Sequence, residues 1–423
     1  MSLEDILGNN DNENIPQGED DNFLMSQSGD KNLDYDTLEE IINIYLEENK
    51  FEKAIKYCDI LIESYPYSAE AFHQKALALD GLWRYEEAIQ CYEQALLFTP
   101  TDVELIINKA ITLDSAGKHS EALESFEKAL EIEPNNTEAL YHKGLSLERQ
   151  EKFEEALECF LQLLEINPNH SDAYYEIGYC HDFIDNLNDS IAAYDKHLEF
   201  TPMNYNAWYN RGIVLYRQGK YLKAIESYEI SLAIKESFSP AWFNMGNAYS
   251  SLGRLHKAIE CYENSLKYKK EDAMSYFNIG HAYEELAEYN KAIKYFDESI
   301  KLEPNSWDAF YSRGNSHFSL GNYKKALSDF KSALILYKDY ADLWYAKAET
   351  EVALGKTEDA LKSYQKVLSL DPDDYEAWYD YGILLSSINK YELATEAFQK
   401  SIKANRYWVE PYFELSKIYF LTE

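Results

Sequence analysis

From Tyr35 onwards, apolar residues recur at three- and four-residue steps in two short blocks separated by a polar break, which is the signature of two amphipathic helices. The pair of blocks returns every 34 residues, as the alanines Ala54, Ala88, Ala122 and Ala156 and the later series Ala224 to Ala394 show, with Ser190 standing in the one gap. Counting Tyr35 as position 1, position 8 is small (Ala76, Gly144, Gly212, Gly246) and position 24 is aromatic (Tyr92, Phe126, Phe160, Tyr262). Seven of the 10 prolines, Pro66 and Pro100 among them, fall at position 32, where a residue that cannot continue a helix suits the segment past its end. The pattern predicts an all-α chain of eleven antiparallel helix pairs over residues 35–408. A terminal helix over 409–423 forms the first half of a twelfth pair. Small residues at positions 8 and 20 let two helix backbones approach, and aromatics at 4 and 24 fill the space between pairs. A single pair cannot bury both its faces, so stability must come from stacking.

Composition agrees: with only 16 Gly and 10 Pro against 37 Tyr, there is little turn material for a sheet protein. Cys58, Cys91, Cys159, Cys180 and Cys261 lie far apart, without metal or disulfide spacing, and read as reduced thiols. Residues 1–34 carry nine acids against one lysine and no helical period, so they read as an acidic, disordered segment. Within it Leu3-Ile6-Leu7 and Phe23-Leu24-Met25 are short apolar clusters. No secretory signal or long apolar run occurs, which points to a cytoplasmic protein without a membrane partner. The net charge of −35 argues against nucleic acid as a partner. Its distribution is uneven: residues 1–204 hold 13 basic and 44 acidic residues, whereas 205–340 hold 18 and 16.

The stretch SPAWFNMGNAYSSLGRLHKAIECYENSLKYKKED resembles the tetratricopeptide signature, with Trp242, Gly246, Tyr249, Ala258 and Tyr262 in phase. Met245 replaces its leucine and Lys270 its proline. The resemblance spans about nine-tenths of the chain and implies a right-handed superhelical solenoid whose first helices line a concave groove. Departures mark particular units: Ile42 and Cys58 in the first, as a terminal cap tolerates, and Ser190 and His197 in the fifth, where packing or curvature could change.

In that family's geometry the groove is lined by positions 2, 5, 6, 9, 12 and 13 of each first helix. Position 5 is an aromatic column that includes Tyr141, Tyr175, Tyr209, Phe243, Phe277, Tyr311, Tyr345, Tyr379 and Phe413. Asn210, Asn244 and Asn278 follow at position 6, and Asn247 and Asn315 at position 9. A side-chain amide can pair with both the N–H and the C=O of an extended peptide, each bond contributing about 1 kcal/mol net. The same residues are also ordinary consensus residues of the family, with structural or idle roles. A clamp for a carboxylate-ended tail needs basic residues beside the asparagines. Only Arg149 and Arg217 at position 13 and Lys417 at position 9 could supply that charge. Acids at position 2, such as Glu70 and Glu138, either complement the helix dipole or form a negative track.

The histidines scatter over eight repeat positions, and no nucleotide-binding, nucleophile-elbow or metalloprotease motif occurs, so no metal, cofactor or catalysis is expected. The segment VEPYFELSKIYFLTE leaves Phe413, Phe420 and Leu421 with no following helix, which suggests self-association as a homodimer through this end, the alternatives being a longer array of which this is a part and a bare end that is merely tolerated. Three functions remain open: a scaffold or adaptor that binds a protein or peptide segment in its groove, a self-associating assembly protein, and a regulatory fragment of a larger transferase.

Overall fold

The computed structural model describes residues 34–422. Among these the regular structure is helical throughout, 23 helices packed in consecutive antiparallel pairs. The chain divides into two compact units after Pro202. In the first, α1 (Tyr35–Glu47) pairs with α2 (Phe51–Ser64), α3 (Ala69–Gly81) with α4 (Tyr85–Phe98), and α5 (Val103–Ser115) with α6 (His119–Ile132). There follow α7 (Thr137–Arg149) with α8 (Phe153–Ile166) and α9 (Ser171–Phe183) with α10 (Leu187–Phe200).

In the second unit α11 (Tyr205–Arg217) pairs with α12 (Tyr221–Ile234), α13 (Ser239–Ser251) with α14 (Leu255–Tyr268), and α15 (Ala273–Glu285) with α16 (Tyr289–Leu302). Next come α17 (Trp307–Ser319) with α18 (Tyr323–Leu336), α19 (Ala341–Ala353) with α20 (Thr357–Leu370), and α21 (Tyr375–Ser387) with α22 (Tyr391–Ala404). A single helix, α23 (Glu410–Thr422), packs on α22. The acidic segment read as disordered lies, apart from Asp34, outside the described residues.

Local chemistry explains where each helix starts and stops. Most first helices begin behind a side-chain cap: Asp34 accepts from the Thr37 N–H, Ser68 from Ala71, Asn136 from Ala139 and Asp374 from Ala377, whereas α13 and α19 follow Phe238 and Tyr340 without one. Each cap satisfies one of the amides that a helix start leaves without a partner. First helices end in a left-handed residue at position 15, and the next N–H reaches back six residues inclusive, as in Lys118 N–H to the Leu113 carbonyl at 2.9 Å. Five of these left-handed residues are glycine, but Trp83, Glu151, Asp185 and Ala287 hold the same conformation, so glycine is not the only route to the turn.

The position-20 alanines, Ala54 to Ala394, are fully buried, and the position-24 aromatics fill the inside of each pair. In the first unit Ile42 and Cys58 are buried where a small residue and an aromatic were expected, and a stacked Tyr45–Tyr57 pair at 5.5 Å fills that layer. The fifth pair keeps its packing by satisfying its polar intruders. Ser190 donates to the Gly178 carbonyl at 2.7 Å, and the His197 ring meets the Ser171 carbonyl at 2.9 Å and the Thr201 hydroxyl at 2.8 Å. In the second unit Ser231, Ser265 and Ser401 at the same position as His197 likewise donate to the carbonyl that opens their own pair. His197 therefore replaces a hydroxyl with a ring nitrogen, and the buried polar group stays paired.

Candidate partner-binding face

Consecutive first helices are joined by side chains 31 to 35 residues apart in sequence, and these contacts define one continuous face within each unit. In the first unit the Thr112 hydroxyl donates to Asp80 at 2.8 Å, Ser146 to Asp114 at 2.6 Å, and the Cys180 thiol to Glu148 at 3.0 Å. In each case a position-10 donor meets a position-12 carboxylate of the preceding pair. A second set of contacts runs on another flank, where Lys75 pairs with Asp59 at 2.6 Å, Lys109 with Glu93 at 2.9 Å and Lys143 with Glu127 at 3.2 Å. These exposed pairs fix register more than they add stability. Between the two flanks lie positions 5, 6 and 9, half-buried in most pairs.

In the second unit the sequence-predicted residues do share that face: Tyr209, Asn210 and Arg217 on α11, Phe243, Asn244 and Asn247 on α13, Phe277 and Asn278 on α15, and Tyr311 and Asn315 on α17. Apart from the exposed Arg217, all are half-buried. The rings are partly structural, since Tyr209 lies 6.0 Å from buried Tyr228, Phe243 5.7 Å from Tyr262, and Phe277 5.7 Å from Phe296. The asparagines form a connected chain: Asn244 donates to the Tyr209 hydroxyl at 3.0 Å, and Asn278 donates to the Asn247 carbonyl at 3.2 Å. That carbonyl also accepts from the buried Tyr262 hydroxyl at 2.8 Å, and Asn247 itself reaches Asn244 at 3.5 Å. Both lone pairs of the Asn247 carbonyl are thus used, while each amide NH2 retains a second hydrogen.

Residues 205–238, 273–306 and 307–340 each match the family model described as Tetratricopeptide repeat, as do 345–407, and 246–287 match the one described as TPR repeat. Residues 40–177 match Psidin, N-terminal TPR repeats region. The chain belongs to the tetratricopeptide repeat family. Tetratricopeptide domains are in general protein–protein interaction scaffolds that bind protein or peptide partners, and they are typically non-catalytic. No curated protein sequence matches this one. Among solved structures, the C-terminal part of a TPR repeat-containing protein from Cytophaga hutchinsonii is 18% identical, with a TM-score of 0.51 over 56% of this chain and 97% of its own. The Cut9–Hcn1 hetero-tetramer is 14% identical, with a TM-score of 0.43 over 94% and 91%. YrrB, described as a TPR protein with an unusual peptide-binding site, is 21% identical, with a TM-score of 0.41 over 45% and 98%.

The position-12 carboxylates of this tetratricopeptide array went unnoticed in the sequence, although an acid followed 32 residues later by a hydroxyl or thiol is a readable signal. Burial pushes the Glu148 and Glu284 carboxyls up to about 7. Burial and then the neighbouring Glu148 charge push Glu176 up to about 8. Of the bases that could have met a ligand carboxylate, Arg149 is ion-paired with Asp114 and Lys417 with Glu414. Phe413, Phe420 and Leu421 are exposed on α23, whereas Leu415 and Ile418 are buried against α22. Among the described residues no helix is long and apolar enough to cross a membrane, and no group of His, Cys, Asp and Glu is arranged to hold a metal ion.

Proposed function

We propose that this tetratricopeptide array is a non-catalytic scaffold that holds an extended protein segment along the first helices of residues 205–340. The supporting observation is the half-buried aromatic column with a hydrogen-bonded asparagine chain beside it. The chain orients the amides before a ligand arrives, which lowers the ordering cost of binding. The Asn210 amide and one remaining N–H on each of Asn244, Asn247 and Asn278 can meet peptide carbonyls, while the rings of Tyr209, Phe243, Phe277 and Tyr311 offer apolar contact. The reading takes residues 35–408 as eleven repeats and 409–423 as half of a twelfth. Five free thiols favour a reducing compartment such as the cytoplasm.

The test is to map a captured partner segment and titrate it against the wild type and the triple variant Asn210→Ala, Asn244→Ala, Asn278→Ala. Loss of three bonds at about 0.5–1.5 kcal/mol each should weaken binding at least tenfold with little change in thermal unfolding. Unaltered affinity would remove the reading. The exposed apolar residues of α23 favour a second one, pairing of two copies through that helix.

A further inference from the structure

The first unit presents a face of different chemistry from the asparagine chain. On α8 and α9 a ring cluster stands beside the face: Phe183 is 55% exposed, stacks on Phe153 at 4.5 Å and 18° and lies 4.7 Å from Tyr179. Beside it are Glu148, held by the Cys180 thiol at 3.0 Å, and Glu176, held by the Tyr141 hydroxyl at 3.4 Å. Both carboxylates are half-buried, and neither has a cation within ion-pair distance among the described residues. The nearest bases on α7 are engaged elsewhere, Lys143 with Glu127 and Arg149 with Asp114.

We infer that this face docks an extended, arginine-bearing segment of a partner protein, with a guanidinium stacked on the Phe183–Tyr179 edge and hydrogen-bonded to Glu148 and Glu176. Charge and shape both favour that occupant. A guanidinium is planar, so it can lie against an aromatic face while its N–H groups point at two carboxylates, which an ammonium does less well. The upward shift of both carboxyls comes first from burial, and for Glu176 next from the Glu148 charge, so a bound cation would favour their ionised forms. The Tyr179 hydroxyl is likewise pushed up, by burial and then by the Glu148 and Glu176 charges, which places all three in one field. The inference is independent of the asparagine-chain reading.

The experiment uses the full chain and a short Gly–Ser peptide carrying arginines, with its citrulline counterpart as the neutral control, at physiological ionic strength. The variant Glu148→Gln/Glu176→Gln is compared with Glu155→Gln/Glu158→Gln, which removes the same charge from exposed positions on α8. The first should weaken arginine-peptide binding about tenfold or more, the second less than about twofold, and citrulline should abolish binding to the wild type. Affinity should also rise with pH as Glu148 and Glu176 ionise. Equal weakening by the two double variants, or equal binding of the citrulline peptide, overturns the inference. Misfolding does not confound the result, because replacing two repelling carboxyls with amides should leave thermal unfolding at or above the wild-type temperature. The asparagine triple variant should bind the arginine peptide as the wild type does, so failure at one site is read separately from failure at the other.

Discussion

A glycine inside a helix costs backbone entropy that alanine would not, so Gly246 in the middle of α13 needs a compensating reason. It is found in Tyr262: a Cβ placed on Gly246 would meet the tyrosine ring at 2.5 Å. Alanine is accommodated at the equivalent places, fully buried at Ala76, Ala110 and Ala348. Around Gly246 the ring is less free, since its hydroxyl is tied to Asn247 at 2.8 Å. Gly246→Val should therefore destabilise the second unit by about 1–3 kcal/mol through overpacking. Gly246→Ala should cost less, and urea unfolding of both variants checks the order. Identical midpoints for Val and wild type would show that the ring is not a fixed wall.

Individual helices carry a pH dependence set by the position-12 and position-6 carboxyls. The folded protein keeps protons on Glu148 and Glu176 up to about 7 and 8, whereas the unfolded chain releases them near the ordinary value of 4.5. Folding in this window therefore takes up protons, and stability falls as pH rises. The contribution is fully present below the unfolded value and is lost as pH climbs through the folded ones. Glu148→Gln/Glu176→Gln should consequently melt higher than wild type at about pH 9 and converge with it near pH 4. For a unit of about the size of the one ending at Pro202, each 1 kcal/mol corresponds to roughly 2–4 °C. A difference that is constant across pH would mean that the two carboxyls ionise normally.

At the scale of the whole molecule, α23 presents Phe420 at 85% exposure and Leu421 at 65%, with Phe413 also exposed. The charge there is mixed: Lys417 is held by Glu414 at 2.7 Å and lies over the Phe413 ring at 4.2 Å, so part of the apolar surface is already shielded. If two copies pair through this helix, light scattering should show dimer at tens of micromolar, and Phe420→Glu/Leu421→Glu should return it to monomer. A monomer at every concentration, unchanged by that variant, would rule out pairing through α23. The large negative charge opposes association, so the dimer should strengthen with added salt.

The sequence by itself determined the helical class, the 34-residue spacing and the small and aromatic positions, because each pair obeys the same local rules and a repeated constraint is visible as a repeated residue. Tetratricopeptide membership followed from Trp242, Gly246, Tyr249, Ala258 and Tyr262 in one phase. Only the tertiary structure decided how the side chains at those positions are used. Asn244, Asn247 and Asn278 read as separate peptide-gripping amides; in the fold they bond to one another and to Tyr209 and Tyr262, because stacking brings positions 31 and 35 apart within hydrogen-bond reach. The Cys180–Glu148 and Ser146–Asp114 contacts leave only the trace of an acid followed 32 residues later by a thiol or hydroxyl, because neither residue has a distinctive spacing on its own helix and the pair exists only where two repeats meet. His197 looked like a disruption in sequence, and it is the position of the Ser171 carbonyl, supplied by folding, that makes it a satisfied part of the core.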